Sequence, residues 1–286
     1  MYLDMYKIDG TINNDTEPCF GNPETYPKFQ DELEEFKHLL IELVYLNEPK
    51  TFYKFGDGDY FFLRKEPVGS ATPGKRALSK GYDQINHEAF VSGAQLCDYY
   101  TCEIYPTNRG RFAQVIDRKV DYPAEFGYGL VTNKWLLETF SGRIGLIGAD
   151  EKMNIIQNLM EAPQYQDYLG LEKFEDYISL PQKFACDDID ATEQMVAEQL
   201  KNSTSKIFLM GMGHVKSGLI HRLKKHANAV FLDVGASIDA LAGIIDVNRP
   251  FAGDWTNYQI DEQELYNNVD FLAYEGQGKH ITLSRE

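Results

Sequence analysis

Three segments of this chain repeat one pattern: a short unbroken apolar run, a glycine-bearing turn, then a stretch with apolar residues at helical spacing. They are Arg143 to Met160 (RIGLIGADEKMNIIQNLM), Lys206 to Lys224 (KIFLMGMGHVKSGLIHRLK) and Ala229 to Ile245 (AVFLDVGASIDALAGII). Four or five consecutive apolar residues, continuous rather than alternating, are what a strand buried on both faces requires. Strands that alternate with helices build a parallel sheet. The fold class expected is therefore α/β, a Rossmann-like and mostly parallel sheet with helices on both faces. A helix from Lys28 ended by Asn47-Glu48-Pro49, a helix over Asn86–Tyr100, strands at Thr101–Pro106 and Tyr177–Gln182, and a helix over Ala191–Lys201 fill the series.

The stretch Thr51 to Tyr60 (TFYKFGDGDY) carries the chemistry. It starts as an aromatic strand and stops at Gly56-Asp57-Gly58-Asp59. Glycine admits a sharp turn and lets a ligand approach the main chain. Asp57 and Asp59 are hard oxygen donors of the kind that hold Mg²⁺ or Mn²⁺ together with a substrate phosphate. The competing reading is a type I′ or II′ hairpin turn, since Asp-Gly is a strong hairpin signal.

Composition limits the partners. The 286 residues are 43% hydrophobic and 13% aromatic, enough for a large core, and carry a formal net charge of −16. Such a surface repels nucleic-acid backbones, while one small nucleotide remains compatible with it. The four cysteines (Cys19, Cys97, Cys102, Cys186) lack CxxC spacing, which argues against zinc and for a reduced chain. No signal peptide is legible, and no apolar run is long enough to span a membrane, so a cytoplasmic location is expected.

Further motifs stand beside bland alternatives. Gly211-Met212-Gly213-His214 follows a strand and opens a helix, a place suited to an anion; His214 is read either as a phosphate contact or base, or as a cap of the turn. Arg109 and Arg111, in the loop after the Thr101–Pro106 strand, have the planar fork that grips phosphate. The segment Val68 to Gly81, with Lys75, Arg76 and Lys80, is read as a basic lid or as a solvated loop. Asp233 and Asp239 sit at a strand end and a helix start, the latter as a helix cap. Trp255 and Tyr258 are candidates for stacking on a sugar or base, or for packing. Phe231–Ser237 (FLDVGAS) is similar to the first motif of S-adenosylmethionine methyltransferases, but few residues follow it. Neither a GxSxG elbow nor a P-loop is present.

KFGDGDY resembles the FGDGE signature of GT-D-type glycosyltransferases, and the resemblance extends from about Phe36 to about Tyr258. Asp57 matches the family aspartate, and Asp59 stands where the family usually has the longer glutamate. The resemblance implies a metal-dependent glycosyltransferase that moves a sugar from a nucleotide-diphosphate donor, uridine diphosphate sugars foremost, to a hydroxyl of a glycan or glycoconjugate acceptor. It implies Mn²⁺ or Mg²⁺ on Asp57 and Asp59, catalytic roles for Asp57, Asp59, His214 and Asp233, and a donor site of Phe55, Gly56, Gly58, Arg109, Arg111, Gly211, Gly213 and His214. The expected division is an irregular arm at 1–27, a transferase domain at 28–258 and a covering segment at 259–286. Homo-oligomerisation is left open. A methyltransferase and a non-catalytic nucleotide-sugar-binding protein are the alternatives.

Overall fold

The computed structural model describes residues 28–66, 77–104, 106–245 and 280–281. The expected arm at 1–27, most of the basic segment with Lys75 and Arg76, nearly all of the covering segment, and Cys19, Trp255 and Tyr258 lie outside the described residues.

The strand–turn–helix units assemble as the apolar runs require. Seven strands, β1 (Lys50–Phe55), β2 (Tyr99–Cys102), β3 (Tyr122–Pro123), β4 (Ile144–Ala149), β5 (Asp176–Leu180), β6 (Ile207–Gly211) and β7 (Val230–Asp233), form one sheet in the order β3-β2-β1-β7-β6-β4-β5. Every pairing within it is parallel. A short antiparallel pair, Ile244–Ile245 with His280–Ile281, stands apart.

Successive residues of a strand feed two cores. Phe52, Leu209 and Leu232 point to one, while Tyr53, Phe55, Phe208 and Phe231 point to the other. The first core is covered by α1 (Phe29–Leu46) and by helices that follow β3 and β4; the second is covered by helices that follow β1, β2, β5 and β6. Connections running toward the β3 edge thus lie on one face and those running toward the β5 edge on the other, as right-handed crossovers demand. β4 and β6 are neighbours whose chains depart in opposite directions, which is the kind of place where open α/β sheets bind ligands.

Local chemistry sets the boundaries. α1 ends at Asn47, left-handed at φ 54°, whose N–H bonds back to Leu43 and Val44 before Pro49. The expected helix over Asn86–Tyr100 shortens to α3 (Glu88–Gly93), because Tyr99 and Tyr100 pair with Phe52 and Tyr53 as strand. The loop expected after Pro106 is instead helix α4 (Pro106–Val115). Proline suits the first helical position, where its missing N–H costs nothing.

Candidate functional site

At the carboxyl end of β1 the chain turns directly into α2 (Asp57–Leu63), which removes the hairpin reading of the Asp-Gly pairs. A parallel neighbour cannot be reached by a tight turn, so the strand must feed a crossover. Gly56 is the N-cap, and its N–H donates to Asp59 Oδ2 at 2.8 Å, while the Asp59 N–H donates to the Gly56 carbonyl at 3.1 Å. Asp59 therefore serves its own helix first. Asp57 accepts the Gly58 N–H at 2.8 Å and faces solvent.

The turn after β6 meets this one. A short 3₁₀ turn (Gly213–Val215) leads into α10 (Lys216–Leu223). His214 lies flat on Phe62 of α2, with ring centroids 4.9 Å apart and planes within 5°. A Cβ at Gly58 would come 2.9 Å from His214 Cε1, so glycine is needed here for the imidazole's approach. His214 Nδ1 lies 4.0 Å from Asp59 Oδ1 and has no hydrogen-bond partner among the described residues. Burial pulls the His214 pKa down, with Lys216 adding to this and Asp59 opposing it, so the ring is neutral at neutral pH.

Beneath them is a buried ammonium. Lys216 Nζ is 3.0 Å from Asp59 Oδ2 and 3.1 Å from Asp233 Oδ2, and it donates to the Lys54 carbonyl. Burial works against its charge, yet Asp233 and Asp59 outweigh burial and hold its pKa above the ordinary lysine value. Asp233 also accepts the Gly235 N–H at 3.0 Å and the Lys54 N–H at 3.3 Å. Next to this core, Tyr53 shares a 2.8 Å hydrogen bond with Ser217.

A second group lines the end of β2. Glu103 Oε1 lies 3.6 Å from Lys54 Nζ, its Oε2 accepts from Asn108 at 2.7 Å, and its backbone carbonyl accepts from Arg109 Nε at 3.1 Å. Glu125, in the first turn of α5 (Ala124–Thr132), is fully buried. Its Oε1 accepts the Ile104 N–H, and its Oε2 has no partner among the described residues. Burial, then Glu103, push its pKa up to about 8, so it holds a proton at neutral pH.

The residues expected from sequence thus divide. Asp59, Asp233, His214, Gly56 and Gly58 converge, and Gly213 stands at the rim, exposed, with φ +57° and nothing within 4 Å of an added Cβ. Arg109 is near the β2 carboxylates. Arg111 lies elsewhere, over the rings of Tyr60 and Phe61. Phe55 is wholly buried, edge-on to Phe112 at 5.3 Å, so its side chain belongs to the core. Gly211 is glycine because the β7 turn packs on it: a Cβ would lie 2.8 Å from the Gly235 carbonyl oxygen. Lys54, Glu103, Glu125 and Lys216 were not singled out. Their signal was a charge set in an apolar run, as in TFYKF, PAEFGYGL and GHVKSGLI.

The divalent ion expected on Asp57 and Asp59 would find Asp59 Oδ2 already taken up by the Gly56 N–H and the Lys216 ammonium, and Asp233 is no freer to hold one. Both oxygens of Asp233 and Oδ2 of Asp59 already bind N–H groups, and the ammonium stands between the two carboxylates. Among the described residues, no group of three or more His, Cys, Asp or Glu side chains could hold a metal.

No family model matches this chain, and no curated protein matches it. Two solved structures do. One is described as a new glycosyltransferase (DUF1792) from Streptococcus sanguinis, at 11% identity over 84% of this chain and 95% of that one, TM-score 0.47. The other is a selenomethionine-substituted domain of unknown function 1792, at 11% identity over 73% and 77%, TM-score 0.44. Among the described residues, no helix is long and apolar enough to cross a membrane.

Proposed function

We propose that this chain is a glycosyltransferase that binds a nucleotide-diphosphate sugar at the carboxyl ends of β1, β6 and β7. The observation that carries the reading is the meeting of two distant motifs. Gly58 and Phe62, from the acidic turn, make the seat of His214, from the glycine turn. The resemblance of KFGDGDY to the GT-D signature supplies the reaction class. A uridine diphosphate sugar is the favoured donor, and a glycan or glycoconjugate hydroxyl the acceptor.

In this reading the donor's diphosphate lies against the turn at Gly213, which is exposed and leads into a helix, a place suited to an anion. Transfer breaks the bond between the anomeric carbon and the diphosphate oxygen and forms a bond from that carbon to the acceptor oxygen. The acceptor's proton goes to Nε2 of the neutral His214 ring, since Nδ1 is buried on the Asp59 side. Asp59, behind Nδ1, is placed to favour the imidazolium that results. Asp233 has no such freedom, because Lys216 and two backbone N–H groups occupy it. Asp57 remains open to solvent, at the edge where donor and acceptor meet.

The test is a panel of sugar nucleotides incubated with the protein while release of nucleoside diphosphate is followed. Release from at least one donor, reduced by at least about a hundredfold in His214→Gln with donor binding retained, is expected for loss of a general base. A panel in which no donor binds or reacts refutes the reading.

A further inference from the structure

We propose that the Lys216 ammonium is the resident cation of this site, so that Asp59 and Asp233 take no divalent ion. An ammonium has three N–H donors, and Lys216 finds three acceptors here: Asp59 Oδ2, Asp233 Oδ2 and the Lys54 carbonyl. Two carboxylate oxygens and a backbone carbonyl are the hard donor set that Mg²⁺ or Mn²⁺ would otherwise select. The lysine reaches them from within the fold, its side chain 8% exposed and its Nζ 5.0 Å from the centre of the Tyr53 ring.

The placement also explains why both carboxylates are there. Lys216 stands in the first turn of α10, where the helix dipole disfavours positive charge. Burial disfavours it further. Two carboxylates offset both costs, and each is fixed by a backbone N–H: Asp59 by Gly56 and Asp233 by Gly235. A divalent ion at this point would have to displace a tethered ammonium and then share its oxygens with those N–H groups. The cation therefore arrives with the fold instead of with the substrate.

The cation assignment is independent of the proposed function; its consequence, donor binding without added metal, rests on that reading. The experiment has two arms. In the first, MnCl₂ is titrated into the full chain and into Lys216→Ala, and thermal midpoints are recorded against a chelator control. The wild-type midpoint is expected to be the same in Mn²⁺ and in EDTA. Lys216→Ala leaves two carboxylates facing a vacated position, and Mn²⁺ is expected to raise its midpoint by several degrees or to restore folding if the variant is unfolded without it. A Mn²⁺-induced rise in the wild type that disappears in Asp59→Asn overturns the assignment. A Lys216→Ala protein that Mn²⁺ leaves unchanged, folded or not, overturns it as well.

In the second arm, uridine diphosphate is titrated calorimetrically in EDTA and in Mn²⁺. Equal affinity within about twofold supports the proposal, and binding that requires Mn²⁺ overturns it. Absence of binding in both refutes the nucleotide-binding reading, and the first arm then decides the cation alone.

Discussion

Replacing Lys216 by methionine keeps most of the side-chain volume and removes the charge. The two carboxylate oxygens it bridges lie 3.0 and 3.1 Å from Nζ, which places them within roughly 6 Å of one another. At an effective dielectric near 20, two unit charges at that separation repel by about 3 kcal/mol. Removing one partner of a buried pair costs a similar amount, about 3–5 kcal/mol. For a domain of this size the thermal midpoint should fall by on the order of 10 °C. The cost should also depend on pH. With the ammonium gone, the folded state raises the pKa of at least one of the two carboxylates above its unfolded value, about 3.9 for aspartate. Stability is then greatest below that value and is lost as pH rises, so the deficit against wild type narrows in mild acid. Wild type shows linkage of the same sign from Lys216, but in a far more alkaline window. Its folded pKa is raised, so its contribution is complete below the unfolded lysine value and lost only as pH passes the folded one. Urea unfolding followed by circular dichroism, in mild acid and mild alkali, measures both effects. A Lys216→Met protein that loses less than about 1 kcal/mol at neutral pH, or whose deficit is unchanged by pH, refutes the reasoning.

Other substitutions follow from the same geometry. Gly58→Ala would bring a Cβ to 2.9 Å from His214 Cε1, and the stacked imidazole must move, costing about 1–3 kcal/mol in urea unfolding and weakening donor binding. Gly213→Val meets open space and suffers only its φ of +57°, roughly 1–2 kcal/mol, whereas Gly218→Val presses on Ile189 and Phe90, each within 3.1 Å of an added Cβ, so melts should show the larger loss at Gly218 and donor titration the larger loss at Gly213. Glu125 holds a proton until about pH 8 in the fold and only to about pH 4.3 in the unfolded chain, so stability falls across that window; Glu125→Gln should flatten that part of the stability–pH curve.

The layered sheet was legible because each buried strand had to be a continuous apolar run, and Ile144–Ala149, Ile207–Gly211 and Val230–Asp233 are such runs. The two turns of the site were legible for the same reason, since glycines and acids interrupt those runs at strand ends. What joins the turns was not. Lys216 reads in sequence as an ordinary helix lysine, and only the β1-β7-β6 order brings Asp59 and Asp233 to its ammonium. The same contact changes the reading of the acidic pair, because Asp59 is one of the lysine's partners. Thr107–Phe112 was expected as a loop because its polar residues hid the helix-starting proline before it. The resemblance implies a donor contact at Phe55, but alternation along β1 turns its ring into the core.

Hydrogen exchange of the wild-type protein, with and without a uridine diphosphate sugar, tests the central claim most directly. The account predicts donor-dependent protection in the two turns together, at residues 56–59 and 211–216. Donor binding that protects neither turn, or that protects the 233–237 turn while leaving those two unchanged, would contradict it.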